Sequence, residues 1–165
     1  MPAEKAMFDI HEADLNQPEQ AAALVALMDE YARDPMGGGE GLSDAVKAAL
    51  PQALKNRSGA FQILAWQGKE PAGLINCFEG FSTFKCQPLI NIHDVIVSKN
   101  HRGQGLNQLM MEKVEEIARQ RGCCKITLEV LQGNQPAQRA YQKFGFAGYE
   151  LDPEMGQALF WEKKL

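Results

Sequence analysis

Most marks of the specialised protein classes are missing from this chain. No apolar run in its 165 residues approaches the roughly 20 needed for a helix to cross a membrane. Met1 to Ile10 holds neither an apolar h-region nor a cleavage pattern, so no secretory signal peptide is expected. Lys and Arg number 17 against 21 Asp and Glu, a net charge of −4 with no dense basic block. Nucleic acid, whose binding is driven by clustered positive charge, is therefore excluded as a main partner. There are only four cysteines, Cys77, Cys86, Cys123 and Cys124, with no C-x-x-C and no His at ligand spacing. On a strand the adjacent Cys123 and Cys124 would point to opposite faces. Reduced thiols and no metal site are expected. Repeats, low-complexity tracts and interdomain linkers are absent too. One domain spanning residues 1–165, with its own core and a cytoplasmic location, is the expectation.

What is present is periodicity. Ala6 to Ile10 reads as a short strand. From Pro18 and Glu19 a helix runs with Leu24, Leu27, Met28 and Tyr31 on one face. Asp34 to Gly41 stops it in a flexible loop. Ser43 suits the cap of a second helix with Val46, Leu50 and Leu54 as its stripe, kinked or divided at Pro51. Phe61 to Trp66 and Ala72 to Phe81 are strands joined by a hairpin at Gln67 to Glu70, and Leu89 to Val97 is a third. Leu106, Leu109, Met110, Val114, Ile117 and Ala118 recur at helical spacing, ended by Gly122. Lys125 to Leu131 alternates as a strand. Asn134 can cap a helix with Pro136 near its start, reaching Phe144 and stopped by Gly145. Phe146 to Tyr149 and Ala158 to Lys163 would close the chain as strands. This order predicts one mixed α/β or α+β sheet with helices on both faces.

Two segments carry chemistry. The first runs from Asn91 through Arg102-Gly103-Gln104-Gly105-Leu106-Asn107. It places bare N–H groups at a helix N-terminus, where an anion can sit, with Arg102 adding charge. No Gly-Lys-Ser/Thr follows, so it is not a nucleotide P-loop, and Gln108 stands where a dinucleotide fingerprint needs its third glycine. An ordinary tight turn remains open on the glycines alone. The second is Asn134 to Phe146, in which Ala137, Tyr141 and Phe144 share a face. A core tyrosine is the plain alternative for Tyr141.

Together the two segments resemble the GNAT N-acetyltransferase family. Its phosphate signature, Arg/Gln-x-x-Gly-x-Gly/Ala, is matched from Arg102 to Leu106 and departs at Asn107, where the family prefers Gly or Ala. Its second signature, Asn-x-x-Ala-x-x-x-Tyr-x-x-x-Gly-Phe, is matched at every position by Asn134, Ala137, Tyr141, Gly145 and Phe146. The resemblance implies a mostly antiparallel sheet splayed between its fourth and fifth strands, with acetyl-CoA as acyl donor. The pyrophosphate would lie on the N–H groups of Arg102, Gly103, Gln104, Gly105, Leu106 and Asn107. Backbone at Val95, Ile96 and Val97 would meet the pantetheine arm, as would Asn134, and would supply an N–H to the thioester oxygen. Tyr141 would protonate the leaving thiolate. The implied reaction is direct attack by a primary amine, with no covalent enzyme intermediate and no metal.

The base is open between His93, Asp94 and water. An alkylammonium must lose a proton before attacking, and His titrates near neutrality. On a regular strand His93 and Asp94 point to opposite faces, with Asp94 sharing the parity of Ile90, Ile92 and Ile96, unless a bulge intervenes. Acceptor contacts are expected from Met36, Gly37 and Glu40 in the glycine loop, and from Glu79 and Phe81. A small-molecule amine is the expected acceptor, mildly favoured as cationic by the acidic balance. A protein or peptide amine is an alternative. So are a non-catalytic acyl-CoA-binding module and a phosphate-binding domain for another nucleotide. Nothing in the sequence sets the oligomeric state, and a homodimer is compatible with it.

Overall fold

In a computed structural model of the chain, residues 7–165 are described. The chain divides into two compact units, one running to Leu131 and the other Gln132–Leu165. The first holds a five-stranded sheet in sequential order, β1 (Asp9–Glu12), β2 (Ala60–Gln67), β3 (Glu70–Ser82), β4 (Gln87–Val97) and β5 (Ile126–Leu128). All neighbours are antiparallel except β4 and β5, which are parallel. Three helices belong to this unit: α1 (Pro18–Arg33), α2 (Asp44–Lys55) and α3 (Leu106–Gln120). The second unit contains α4 (Gln135–Phe144).

The helices begin where local chemistry tells them to. Pro18 opens α1 with its φ already set for a helix. Ser43 caps α2, its Oγ accepting from the Val46 N–H at 3.2 Å. Pro51 does not divide α2, which runs unbroken through it. One lost backbone bond is outweighed here by the tertiary anchoring of Leu54, which is buried, and Leu50, which packs beside it. Val46, expected on the buried stripe, is 43% exposed.

Two layers of side chains sandwich the sheet. Leu64, Leu74 and Ile96 lie opposite one another across β2, β3 and β4 and pack with Ala23, Leu24 and Leu27 of α1 and Leu54 of α2. Each fully buried Leu contributes about 2 kcal/mol relative to exposure, so this layer ties α1 to the strands. Buried Met110, Met111 and Val114 of α3 pack against β2, β3 and β4. Arg121, just beyond α3, sits over the Phe61 ring at 4.5 Å.

β4 departs from regularity in two ways, and both matter below. Asn76 pairs with Asp94 but Cys77 pairs with Ile92, so the ladder to β3 skips His93. This is a β-bulge, and it changes which face the following side chains occupy. Ile90 and Ile92 stand opposite Glu79 and Cys77, whereas Ile96 stands opposite Leu74 in the α1 layer. The expected shared parity of Asp94 with Ile90 and Ile92 therefore fails, and only Ile96 keeps it. In addition, the ladder to β5 ends at the Ile92–Leu128 pair while that to β3 continues to Val97. The fourth and fifth strands part at this point. That parting also shortens β5, which covers three residues of the expected Lys125 to Leu131, because a strand needs a neighbour to complete its hydrogen bonds.

Other boundaries moved. The first strand lies at Asp9–Glu12 rather than Ala6 to Ile10, and Ala6 falls outside the described residues. The two closing strands do not form among the described residues. A single Glu150–Gln157 bridge and a bond from the Ala158 N–H to the Tyr149 carbonyl stand in their place. Leu159, Phe160 and Trp161 are more than 70% exposed. Their short apolar run reads as a strand, but strand propensity expresses itself only against a facing partner.

Candidate active site

The glycine loop starts where β4 ends. The Ser98 N–H donates to the Ala72 carbonyl at 2.9 Å and the Lys99 N–H to Glu30 Oε1 of α1 at 2.9 Å, which pins the loop to the sheet and to α1. A short turn at Lys99–His101 follows. Arg102 is then extended, its Nε donating to the Val97 carbonyl at 3.2 Å and its Nη2 lying 3.7 Å from Asp34 Oδ2. Gly103 and Gly105 both take left-handed backbone, with φ of +74° and +76°. A side chain there would be strained. Space is not the constraint, since nothing lies within 4 Å of where either Cβ would stand.

Gly105 is the N-cap of α3 and supplies no side-chain acceptor. Leu109 is the residue whose N–H first returns to the chain here, to Gly105 at 3.3 Å. The N–H groups of Leu106, Asn107 and Gln108 thus head a helix with no side chain to receive them, an anion site built from backbone. Leu106 buries its side chain and contributes only backbone. Asn107, the departure from the signature, is half-buried, and its Oδ1 is enclosed without a hydrogen-bond partner among the described residues. The loop fits the pyrophosphate of a nucleotide cofactor.

A polar cluster sits one strand-length upstream. Because of the bulge, His93 and Asp94 do not diverge. His93 Nδ1 lies 3.2 Å from Asp94 Oδ2, and the His93 ring stands edge-on to Phe78 at 5.6 Å between centroids. Asp94 faces α1: Asn76 Nδ2 donates to Asp94 Oδ2 at 2.9 Å and approaches Met28 Sδ at 3.2 Å. The His93 side chain is 64% exposed and that of Asp94 only 15%, so the imidazole is the member open to a substrate. Nearby, burial and then the negative charges of Asp94 and Asp34 push the Tyr31 phenol above its ordinary range. Tyr31 therefore stays protonated at neutral pH, beside two carboxylates.

The expected acceptor residues are scattered. Met36 and Gly37 lie in a short turn after α1, where Asp34 Oδ1 accepts from the Met36 N–H at 2.9 Å. Gly37 is pressed so close to the Tyr31 carbonyl that a Cβ would overlap it. Glu40 is exposed. Glu79 holds Arg121, Oε2 to Nη1 at 3.3 Å, on the cation that covers Phe61. Phe81 pairs with Pro88 toward the far end of the β3–β4 hairpin and is 58% exposed. Burial drives the Cys77 thiol far above its ordinary range, which leaves it inert as a nucleophile.

In the second unit, Asn134 caps α4, its Oδ1 accepting from the Ala137 N–H at 3.3 Å. Gly145 ends the helix in left-handed backbone, and the Tyr141 ring meets Phe146 edge-on at 6.0 Å. Every position of the second signature thus has a local role in building this helix.

A family model, the acetyltransferase (GNAT) family, matches residues 21–146. The chain belongs to this family. Among curated relatives of this GNAT protein, a streptothricin acetyltransferase of Streptomyces lavendulae is 38% identical over 41% of this chain and 36% of its own length. A thialysine N-epsilon-acetyltransferase of Caenorhabditis elegans is 27% identical over 75% of each. The first of these matches covers little more than a third of the relative's length. Among solved structures, an aminoglycoside acetyltransferase from an uncultured soil metagenomic sample superposes with a TM-score of 0.78 at 14% identity, covering 96% of both chains. An integron cassette protein of Vibrio cholerae reaches 0.76 at 21%, covering 95% of this chain and 92% of that one. These likenesses bear on the fold.

The sequence does not single out Asn76 or Tyr31 for the site, and Asp34 enters only as the first residue of the candidate acceptor loop Asp34 to Gly41. Asn76 carried a signal: it is a lone amide inside the apolar run Ala72 to Phe78, and a buried polar group needs a partner. The other two looked like a core tyrosine and a loop carboxylate.

Proposed function

We propose that this GNAT protein is an acetyl-CoA-dependent N-acetyltransferase acting on a primary amine of a small, cationic molecule. The observation that carries this is the pair of left-handed glycines feeding an uncapped α3, directly after the strand whose ladder to β5 has ended. The N–H groups from Arg102 to Asn107 would hold the pyrophosphate, as charge at a helix N-terminus favours. Backbone at Val95, Ile96 and Val97, beyond the last β5 pair, would bind the pantetheine arm and donate to the thioester oxygen as charge develops there. Asn134 would add its amide N–H to that arm, since its Oδ1 is occupied by the cap.

In the reaction, an amine nitrogen attacks the thioester carbon, the C–S bond breaks, and the thiolate takes a proton, a role assigned to Tyr141 by the signature it completes. The amine first loses a proton, for which His93 is our base. Asp94 and Asp34, flanking Tyr31, favour a cationic acceptor. The relatives named for thialysine and streptothricin support an amine acceptor. We place the protein in the cytoplasm, with no metal requirement and no nucleic-acid partner; a homodimer is compatible with this reading. Glu79, engaged by Arg121, is set aside from the acceptor site.

One observation favours a second reading. The enclosed, unpartnered Oδ1 of Asn107 at the phosphate loop suits a protein that holds acyl-CoA without turning it over. A panel of amines incubated with acetyl-CoA, read by release of free thiol, separates the two. Thiol release that depends on a cationic primary amine is expected. A panel without turnover, together with a raised melting temperature in acetyl-CoA, would establish the binding module instead. Saturation at 100 times the dissociation constant adds about 2.7 kcal/mol.

A further inference from the structure

We propose that Asp94 and Asn76 are positioning residues that hold His93 in the tautomer whose Nε2 is free to accept the proton of the acceptor ammonium. The proposal rests on the acetyltransferase reading above and adds a three-residue chain, Asn76 to Asp94 to His93, to it.

Three observations carry it. The bulge at His93 gathers two neighbouring side chains that a regular strand would send to opposite faces. The contact it creates joins Nδ1, not Nε2, to the carboxylate, at 3.2 Å. A carboxylate accepts, so the nitrogen facing it carries the proton, and Nε2 is left as the acceptor on an exposed ring. The substituted ring of a histidine in water prefers the Nε2–H tautomer, so the carboxylate has something to do.

Asn76 is the third. It is 3% exposed, its Nδ2 donates to Asp94 Oδ2 at 2.9 Å, and its Oδ1 has no partner among the described residues. A buried amide with an orphaned carbonyl costs stability. Its return is to present a donor, not an acceptor, to Asp94, which fixes the direction of the carboxylate. The other groups beside the pair are Met28 and the neutral phenol of Tyr31 from α1 and Phe78 from β3, while Asp34 lies 3.7 Å from Arg102. None of these competes with Asp94 for Nδ1.

The step balances simply. The alkylammonium gives one proton to His93 Nε2, leaving a neutral amine and an imidazolium. The Nδ1 proton stays where it is, on the nitrogen, hydrogen-bonded to Asp94. The imidazolium later returns its proton to water.

Two measurements test this independently. The first is the 15N spectrum of the histidine rings, with His93 assigned by its loss in His93→Gln. At a pH where the ring is neutral, Nδ1 of His93 should be the protonated nitrogen, and Asp94→Asn should return the ring toward the Nε2–H form. A wild-type ring already in the Nε2–H form would overturn the proposal. The second is kcat/KM. Asp94→Asn should lower it about tenfold or more, and Asp94→Glu, which keeps an accepting carboxylate, should recover part of the loss. Acetyl-CoA affinity should be unchanged. Asn76→Leu, which keeps an apolar filling of the site, should act in the same direction more weakly. A lower rate in Asp94→Asn with an unchanged ring spectrum would mean that Asp94 serves the fold alone. Absence of amine turnover by the wild type would instead defeat the acetyltransferase reading, and the ring spectra would then decide the dyad by themselves.

Discussion

The N-termini of α3 and α4 solve the same problem in opposite ways. Each helix begins with N–H groups that have no carbonyl within the helix. At α4, Asn134 supplies its own oxygen to the Ala137 N–H. At α3, Gly105 supplies no side chain to its own helix. A closed N-terminus is a structural investment in its own helix, whereas an open one leaves donors for something else to satisfy. The two family signatures thus differ in kind. One leaves a row of backbone donors open, and the other closes its helix with a side chain of its own.

The contrast can be broken at either end. The largest effect is expected from Tyr141→Phe, which should lower kcat about a hundredfold while acetyl-CoA binding, followed by calorimetry, stays intact. An unchanged kcat would mean that α4 contributes no acid. Next in size is Gly105→Asp, which installs at α3 the kind of cap that α4 already has. The carboxylate should occupy the open donors and repel phosphate, weakening acetyl-CoA about tenfold. Gly105→Ala, which adds only backbone strain, should cost less; equal losses would show that conformation, not donor supply, governs the loop. The smallest effect is Asn134→Ala, which should remove about 1 kcal/mol of stability. Urea denaturation should show a lower midpoint with an unchanged slope. A loss of acetyl-CoA affinity without any loss of stability would reverse the assignment and make Asn134 a ligand-binding group before a cap.

Much of the fold was legible because its signals are local. Pro18, Ser43 and Asn134 announce helix starts, Gly145 announces a stop, and the hairpin at Gly68 and Lys69 sits between two apolar runs. The loop from Arg102 to Asn107 was legible for the same reason. The bulge at His93 was not. It is a property of the register between β4 and β3, set by residues more than a dozen positions apart, and no Gly or Pro marks it. The arrangement of His93, Asp94 and Asn76 was hidden with it, since their meeting depends on that register. The two closing strands were misread in the other direction: a short apolar run at Ala158 to Trp161 promised a ladder that local sequence cannot supply on its own.

The bulge has a consequence beyond the site. Upstream of it, Ile90 and Ile92 stand opposite Glu79 and Cys77; downstream, Ile96 stands opposite Leu74 in the layer beneath α1. One extra residue is what lets isoleucines at even spacing, Ile92 and Ile96, serve opposite layers. In the folded chain His93 therefore acts like an inserted letter that the pairing skips. Removing that one position would straighten the strand and leave its pairs as they are, Ile92 opposite Cys77, Asp94 opposite Asn76 and Ile96 opposite Leu74. What would be lost is the imidazole alone, so the fold could do without the one residue that the site turns on.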